Sequence, residues 1–230
     1  MENEKRMKSI RILIITTVLF LTACANQTFE VTDLAKSEVD LIADAYVETQ
    51  ENLLKSLLVK LYKRNPRELN KTSGQTINKR AEELFGPDAG IAFEGLHGKS
   101  GIDAMLLAFD EQYLGDRVFA LMAGMVGMLR LSWNGQREFF LPDALDEQKL
   151  YNGARNIEIV SWRLRNRTKA DGQSFLIAQG SGADINLSIV RIFAKLTAHQ
   201  DMMARLVAQR NDRMINRAVH AIATTAFLPI

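Results

Sequence analysis

The chain has 230 residues, of which 29 are Lys or Arg and 27 are Asp or Glu, giving a formal net charge of +2 at neutral pH. This near-balance, with no long basic run, offers no electrostatic footprint for nucleic acid. A single cysteine excludes an intramolecular disulfide, and a chain of this length can bury a core that folds without one.

Residues 1–11 carry Lys5, Arg6, Lys8 and Arg11, Ile12–Leu21 is an almost unbroken apolar run, and Ala23-Cys24 follows at once. A basic stretch, a short apolar run and a small residue before the cut predict a secretory signal peptide over residues 1–23. The run falls short of the roughly 20 apolar residues of a membrane span. Leu21-Thr22-Ala23-Cys24 resembles a bacterial lipobox. The resemblance implies cleavage after Ala23 and acyl chains such as palmitate on Cys24, a lipidation site in the cell envelope. Each buried methylene adds about 0.8 kcal/mol, and two chains suffice for stable anchoring. Acylation also removes the lone thiol that export would otherwise carry into an oxidising compartment. The alternative is an ordinary cleaved signal that a cysteine happens to follow. Ala25, rather than Asp, after the anchor implies the outer membrane, facing the periplasm, if the host is Gram-negative. Removing residues 1–23 takes away four basic and two acidic residues and leaves 207 residues with 25 charges of each sign.

Residues 24–32 read as a tether and 33–230 as a single helical domain. From Asp33 to Lys63, Leu34, Ile42, Tyr46, Leu53, Leu57 and Leu61 recur at helical spacing and predict an amphipathic helix. It ends at Arg64, because Pro66 lacks a donor and pushes Asn65 out of the helical region. Asn65 as N-cap, Pro66 at the first position and Glu68 at the capping-box position predict an immediate restart. After a loop at Thr72–Gly74, the pattern predicts a helix over Thr76–Phe85. Gly86-Pro87-Asp88-Ala89-Gly90 breaks it, and a glycine-rich stretch runs to Gly101. Ser100 then reads as the N-cap of a helix to about Phe109, with Asp103 three residues on.

Arg117–Trp133 predicts a helix whose central part, Val118–Leu129, is apolar all round. Those twelve residues cover about 18 Å against about 30 Å of hydrocarbon, so a core helix is favoured over a membrane hairpin. Ala120, Ala123, Gly124 and Gly127 predict close approach by another helix. Asp143 to about Arg167 fits a helix through Leu145, Leu150, Ala154, Ile157, Val160 and Leu164. The alternative is a β-hairpin of Ile157–Arg165 and Ser174–Ile177 closed by Asp171-Gly172, a possible short hairpin within 157–177. From Asp184 to about Phe227 there is neither proline nor glycine, which predicts a last long helix with a kink or break near Asp201 or Asn211. The fold class is all-α, a multi-helix bundle with long first and last helices. No repeat of 33 to 47 residues is visible, which argues against a solenoid.

Signs of chemistry are few. Gly98-Lys99-Ser100 echoes the end of a phosphate-binding loop, but Phe93 stands where that pattern needs glycine, and no strand precedes it. Backbone donors at the Ser100 helix start, with Lys99 beside them and His97 nearby, make His97, Lys99 and Ser100 the candidate ligand-binding residues. The competing reading is a loop whose glycines serve turns. His97, His199 and His220 lie far apart, no HExxH motif exists and Cys24 is committed to lipid, so no metal and no cofactor is expected. Ser181 lacks the spacing of a nucleophile elbow. Asp143, Asp146 and Glu147 suit a helix N-terminus. Arg163, Arg165, Arg167 and Lys169, around Trp162, suit a helix C-terminus, or a surface for lipid headgroups, cell-wall phosphates or an acidic partner. The methionines of Met122–Met128 and Met202-Met203 read as packing residues and adaptable contacts.

Leu61-Tyr62-Lys63-Arg64-Asn65-Pro66-Arg67-Glu68 and Tyr151-Asn152-Gly153-Ala154-Arg155-Asn156-Ile157-Glu158 resemble uncharacterised helical lipoproteins of proteobacterial envelopes, a resemblance that carries no activity with it. Three functions are in view. The first is a non-enzymatic scaffold or assembly factor, anchored through Cys24 and docking an envelope protein partner through helical surfaces. The alternative is a carrier of lipid or another small molecule, with a pocket between helices around Val118–Leu131. The third is an enzyme using the Glu94–Ser100 loop.

Overall fold

Seven α-helices and one 3-10 turn form the regular structure of the residues described by a computed structural model, namely 38–86, 89, 93–136, 139, 145–180, 185–211 and 227–230. The chain is all-α, as its periodicity predicts. The signal, Cys24 and the tether lie outside the described residues, as do Asp143, Ser181 and His220.

Helix α1 (Glu38–Arg64) buries Ala43, Tyr46, Val47, Leu54, Leu57, Leu58 and Leu61 along one stripe. The predicted seam is displaced at its start: Ile42 is 43% exposed and Ala43 faces inward. The displacement follows from the last described helix, α7 (Ser188–Arg210), which lies against the face of Asp40 and Gln50. Arg210 pairs with Asp40 at 3.6 Å, and Gln50 Nε2 donates to the Leu196 carbonyl at 3.3 Å.

Pro66 opens the short α2 (Pro66–Leu69), but the predicted capping box does not form. Asn65 occupies the N-cap position without a side-chain cap bond. Its Nδ2 donates to the carbonyls of Leu61 at 2.9 Å and Ile177 at 3.0 Å, and its Oδ1 accepts from Ile177 N at 2.8 Å. Glu68 is buried and accepts from Lys71 Nζ at 2.7 Å and from the Arg117 amide at 2.9 Å. Both side chains satisfy distant backbone that burial would otherwise strand, a larger penalty than an unmade cap at a solvated helix start.

Helix α3 (Ile77–Phe85) starts as predicted, with Thr76 accepting from Lys79 N at 3.1 Å. A 3-10 turn (Glu94–Leu96) precedes α4 (Gly101–Leu107). Ser100 stands at the N-cap of α4, though its side chain makes no cap bond. Helix α5 (Arg117–Ser132) is the centre of the core, with thirteen of its sixteen residues buried. Its small residues do what the sequence predicts. A Cβ on Gly124 would collide with the Met105 side chain and lie 2.5 Å from Met105 N and 2.6 Å from the Gly101 carbonyl, so α4 crosses α5 at that glycine.

Helix α6 (Glu147–Asn166) begins at Asp146, whose carboxylate accepts from Gln148 N at 2.8 Å and Lys149 N at 3.0 Å. It takes in residues 157–166, so the alternative hairpin reduces to one isolated bridge between Thr168 and Ser174, across the turn in which Gly172 has φ +79°. Helix α7 ends at Asn211, one of the two predicted break points. Residues 212–226 lie outside the described set. Phe227–Ile230 is not helical and lies along α6. Helices α6 and α7 run antiparallel and pack most extensively of all pairs, with Arg155 bonded to Asp201 and Asn211 to Glu147. No described helix is long and apolar enough to cross a membrane.

Candidate functional site

His97, Lys99 and Ser100 share one exposed turn. His97 closes the 3-10 turn in the left-handed region, at φ 54°, with its ring edge-on to Tyr113 at 6.1 Å between centroids. Gly98 (φ 71°) and Gly101 (φ 49°) serve the turns on either side. No described hydrogen bond or ion pair joins the three side chains to one another. Among the described residues, no cluster of His, Cys, Asp or Glu could hold a metal ion.

The basic cluster around Trp162 divides. Arg163 is buried, with its guanidinium 4.4 Å from the Phe227 ring centroid, and burial together with the charge of Arg167 lowers its proton affinity. Arg165 turns back to the Ser161 carbonyl at 3.2 Å, Arg167 is the exposed C-cap of α6, and Lys169 sits in the bridged turn. These cations complement the end of α6 more than they form one surface.

A second polar group surrounds the start of α5. Tyr62 donates to Asp116 Oδ2 at 2.7 Å, Asp116 caps α5 through Phe119 N at 2.9 Å, and Arg80 lies 3.5 Å from the same carboxylate. Burial raises the proton affinity of both Asp116 and Tyr62, and for Tyr62 the Asp116 charge adds to it. Tyr113 is pushed up to about 12, first by burial and then by Asp116. A cleft of about 490 Å³ beside this group is lined by Arg67, Glu68, Lys71, Tyr113, Arg117 and Lys169 among others. Its inner charges are engaged. Lys71 holds Glu68 and the Gly115 carbonyl, and Arg117 donates to the carbonyls of Leu107 at 3.2 Å and Asp110 at 2.6 Å. Arg117 therefore caps the end of α4 while its own amide binds Glu68. The group stitches α1, α2, α3, α4 and α5 together, and its carboxylates are spent on that task.

The outer face of the α6–α7 pair is different. A cleft of about 540 Å³ lies between the helices. Trp162, Val190, Phe193, Ala194 and Ala198 supply its apolar lining, and Glu158, Arg165, Asp201 and Arg205 its charges. From Val190 to Arg205 it follows α7 for about 22 Å at 1.5 Å per residue. Arg155 fixes one wall, bonding Asp201 at 2.7 Å and Glu158 at 3.4 Å. Burial raises the proton affinity of Glu158, opposed by Arg155 and reinforced by Asp201. An elongated apolar floor with charges of both signs along it suits an amphipathic helix better than a small polar substrate. Trp162 was visible in the sequence as a neighbour of the arginines. That it lines one cleft with Val190 and Phe193 depends on the antiparallel register of α6 and α7, for which no local signal exists.

No protein-family model, curated protein or solved structure matches the chain.

Proposed function

We propose that the chain is a lipid-anchored protein of the cell envelope, on the outer membrane if the host is Gram-negative, held by acyl chains on Cys24, whose helical body is a non-enzymatic scaffold or assembly factor. The body docks an amphipathic helix of an envelope protein partner in the α6–α7 cleft. The anchor reading rests on Leu21-Thr22-Ala23-Cys24 behind a basic and apolar leader. The observation that carries the docking reading is the cleft itself, lined by Trp162, Val190 and Phe193 with a rim of mixed charge. Aromatic side chains in an apolar centre with a polar rim are the usual anatomy of a protein-binding surface. The carrier alternative needs a pocket along α5. Val118, Leu121, Met122, Met125 and Leu129 there are packed to 0% exposure, and the linings of both described clefts omit them.

A photocrosslinking residue in place of Trp162, in membranes carrying the chain, tests the docking. The reading expects one adduct of defined mass, absent when the same residue replaces exposed Leu131 on α5. Equal adducts from both positions, or none from position 162, would overturn it. Stoichiometric lipid co-purifying with the chain would favour the carrier.

A further inference from the structure

Residues Phe227–Ile230 lie on α6 as a peptide lies in a receptor. Asn156, fully buried, donates from Nδ2 to the Leu228 carbonyl at 2.9 Å and accepts the Leu228 amide on Oδ1 at 2.7 Å. One side-chain amide thus satisfies both backbone groups of one residue. Four residues earlier on the same face, Asn152 Nδ2 donates to the Pro229 carbonyl at 2.8 Å. Gln148 donates to Asn152 Oδ1 at 2.9 Å, which orients that amide with its donor towards the segment. Seven residues beyond Asn156, the Arg163 guanidinium covers the Phe227 ring. Phe227 and Ile230 both pack against the main core. The segment therefore runs antiparallel to α6, from Arg163 past Asn156 to Asn152.

The chemistry of the segment matches this seat. Proline restricts the residue before it to extended conformations, so Leu228 is already shaped for the clamp. Pro229 has no amide hydrogen to satisfy, and the groups that the site engages are the Leu228 amide and the carbonyls of Leu228 and Pro229. The two asparagines supply those partners through backbone groups that any peptide carries. Selectivity is left to the ring under Arg163 and to the aliphatic side chains.

We propose that Asn152, Asn156 and Arg163 form a peptide-binding site for an extended aromatic–aliphatic–proline–aliphatic segment, and that residues 227–230 are its resident ligand. The site is independent of the anchor and of the α6–α7 cleft. Because the segment belongs to the same chain as its seat, its binding is intramolecular, and a free peptide has to compete with it at a high effective concentration. A free peptide of the same sequence is therefore excluded while the resident segment is intact, and admitted when it is disabled.

The test uses the chain carrying Phe227→Ala and Leu228→Pro, which remove the ring and the clamped amide without touching α6. The probe is a fluorescent peptide of residues 224–230. The proposal expects saturable binding to this variant and none to the unmodified chain at the same concentrations. Adding Asn156→Ala weakens binding by roughly tenfold or more, as the loss of a buried bonded pair requires. No binding to a variant of unchanged helix content, or equal binding after Asn156→Ala, overturns it. Amide exchange in the unmodified chain gives a second reading that needs no open variant. Leu228 should exchange more slowly than in the free peptide and regain the free rate in Asn156→Ala, whereas an unprotected Leu228 amide overturns the site.

Discussion

Tyr62 donates its hydroxyl to Asp116 across 2.7 Å and so pins the last turn of α1 to the first turn of α5. Asp116 is at once the cap of α5 and the acceptor for a buried phenol. Asp116→Ala should therefore cost about 1 kcal/mol for the lost cap and about 1–3 kcal/mol for the stranded hydroxyl. Tyr62→Phe should cost less, because Asp116 keeps the Phe119 amide and Arg80. Urea unfolding measures both, and a loss below roughly 0.5 kcal/mol for Asp116→Ala would show that the pair does not join the helices.

Gly124 and Gly127 stand one turn apart in α5 and should respond oppositely to alanine. At Gly124 the new methyl meets backbone of α4 at 2.5 and 2.6 Å, which cannot yield without moving the helix. A penalty of about 1–3 kcal/mol is expected from overpacking. At Gly127 the nearest atom, Gly101 N, is 3.4 Å away, an ordinary contact. There the gain in helix propensity, up to about 1 kcal/mol, should prevail. Paired thermal melts decide it, and a stabilised Gly124→Ala would mean that α4 does not cross α5 there.

Much of this was legible in the sequence. The all-apolar run of Val118–Leu129 marks the central helix, the spacing of Ile77, Ala81, Leu84 and Phe85 marks α3, and Asn211 is one of two break points that the pattern offers for the last stretch, because periodicity is local. Asn65 and Glu68 were misread for the opposite reason. Their sequence context offers a capping box, but their partners, Ile177 and the Arg117 amide, are brought in only by the fold. The α6–α7 cleft is hidden likewise, since Trp162 reads as part of a basic cluster and Phe193 as part of a helical seam until the register of the two helices is known. The turn of His97, Lys99 and Ser100 is legible as an exposed glycine-flanked turn, because Gly98 and Gly101 adopt the positive φ that only local sequence has to supply.

Asn65 holds Ile177 by both backbone groups, as Asn156 holds Leu228. Asn65→Ala should release the segment around the Thr168–Ser174 bridge while leaving the helices in place. Limited proteolysis should then cut between residues 168 and 178 well before it cuts the unmodified chain. Unchanged cleavage kinetics would mean that the buried Phe175 and Leu176 hold the segment alone.

Glu158 carries a pH dependence whose sign is fixed by its raised proton affinity. A carboxyl whose folded pKa is raised contributes stability that is complete below its ordinary pKa of about 4.3 and is lost as pH rises through the folded value. Glu158→Gln should therefore match the unmodified chain in acid and exceed it in Tm at neutral pH. A variant less stable than the unmodified chain at pH 7 would show that the Arg155 pairing outweighs burial.

The anchor at Cys24 is the central claim, since the docking function is framed by it. The direct measurement is labelled palmitate incorporation, with the mass and first residue of the mature protein, in a bacterial host that processes lipoproteins, for the unmodified chain and Cys24→Ser. The account predicts label on the unmodified chain, a mature protein that starts at acylated Cys24, and no label on Cys24→Ser. A mature protein that starts elsewhere, or an unlabelled Cys24, would contradict it.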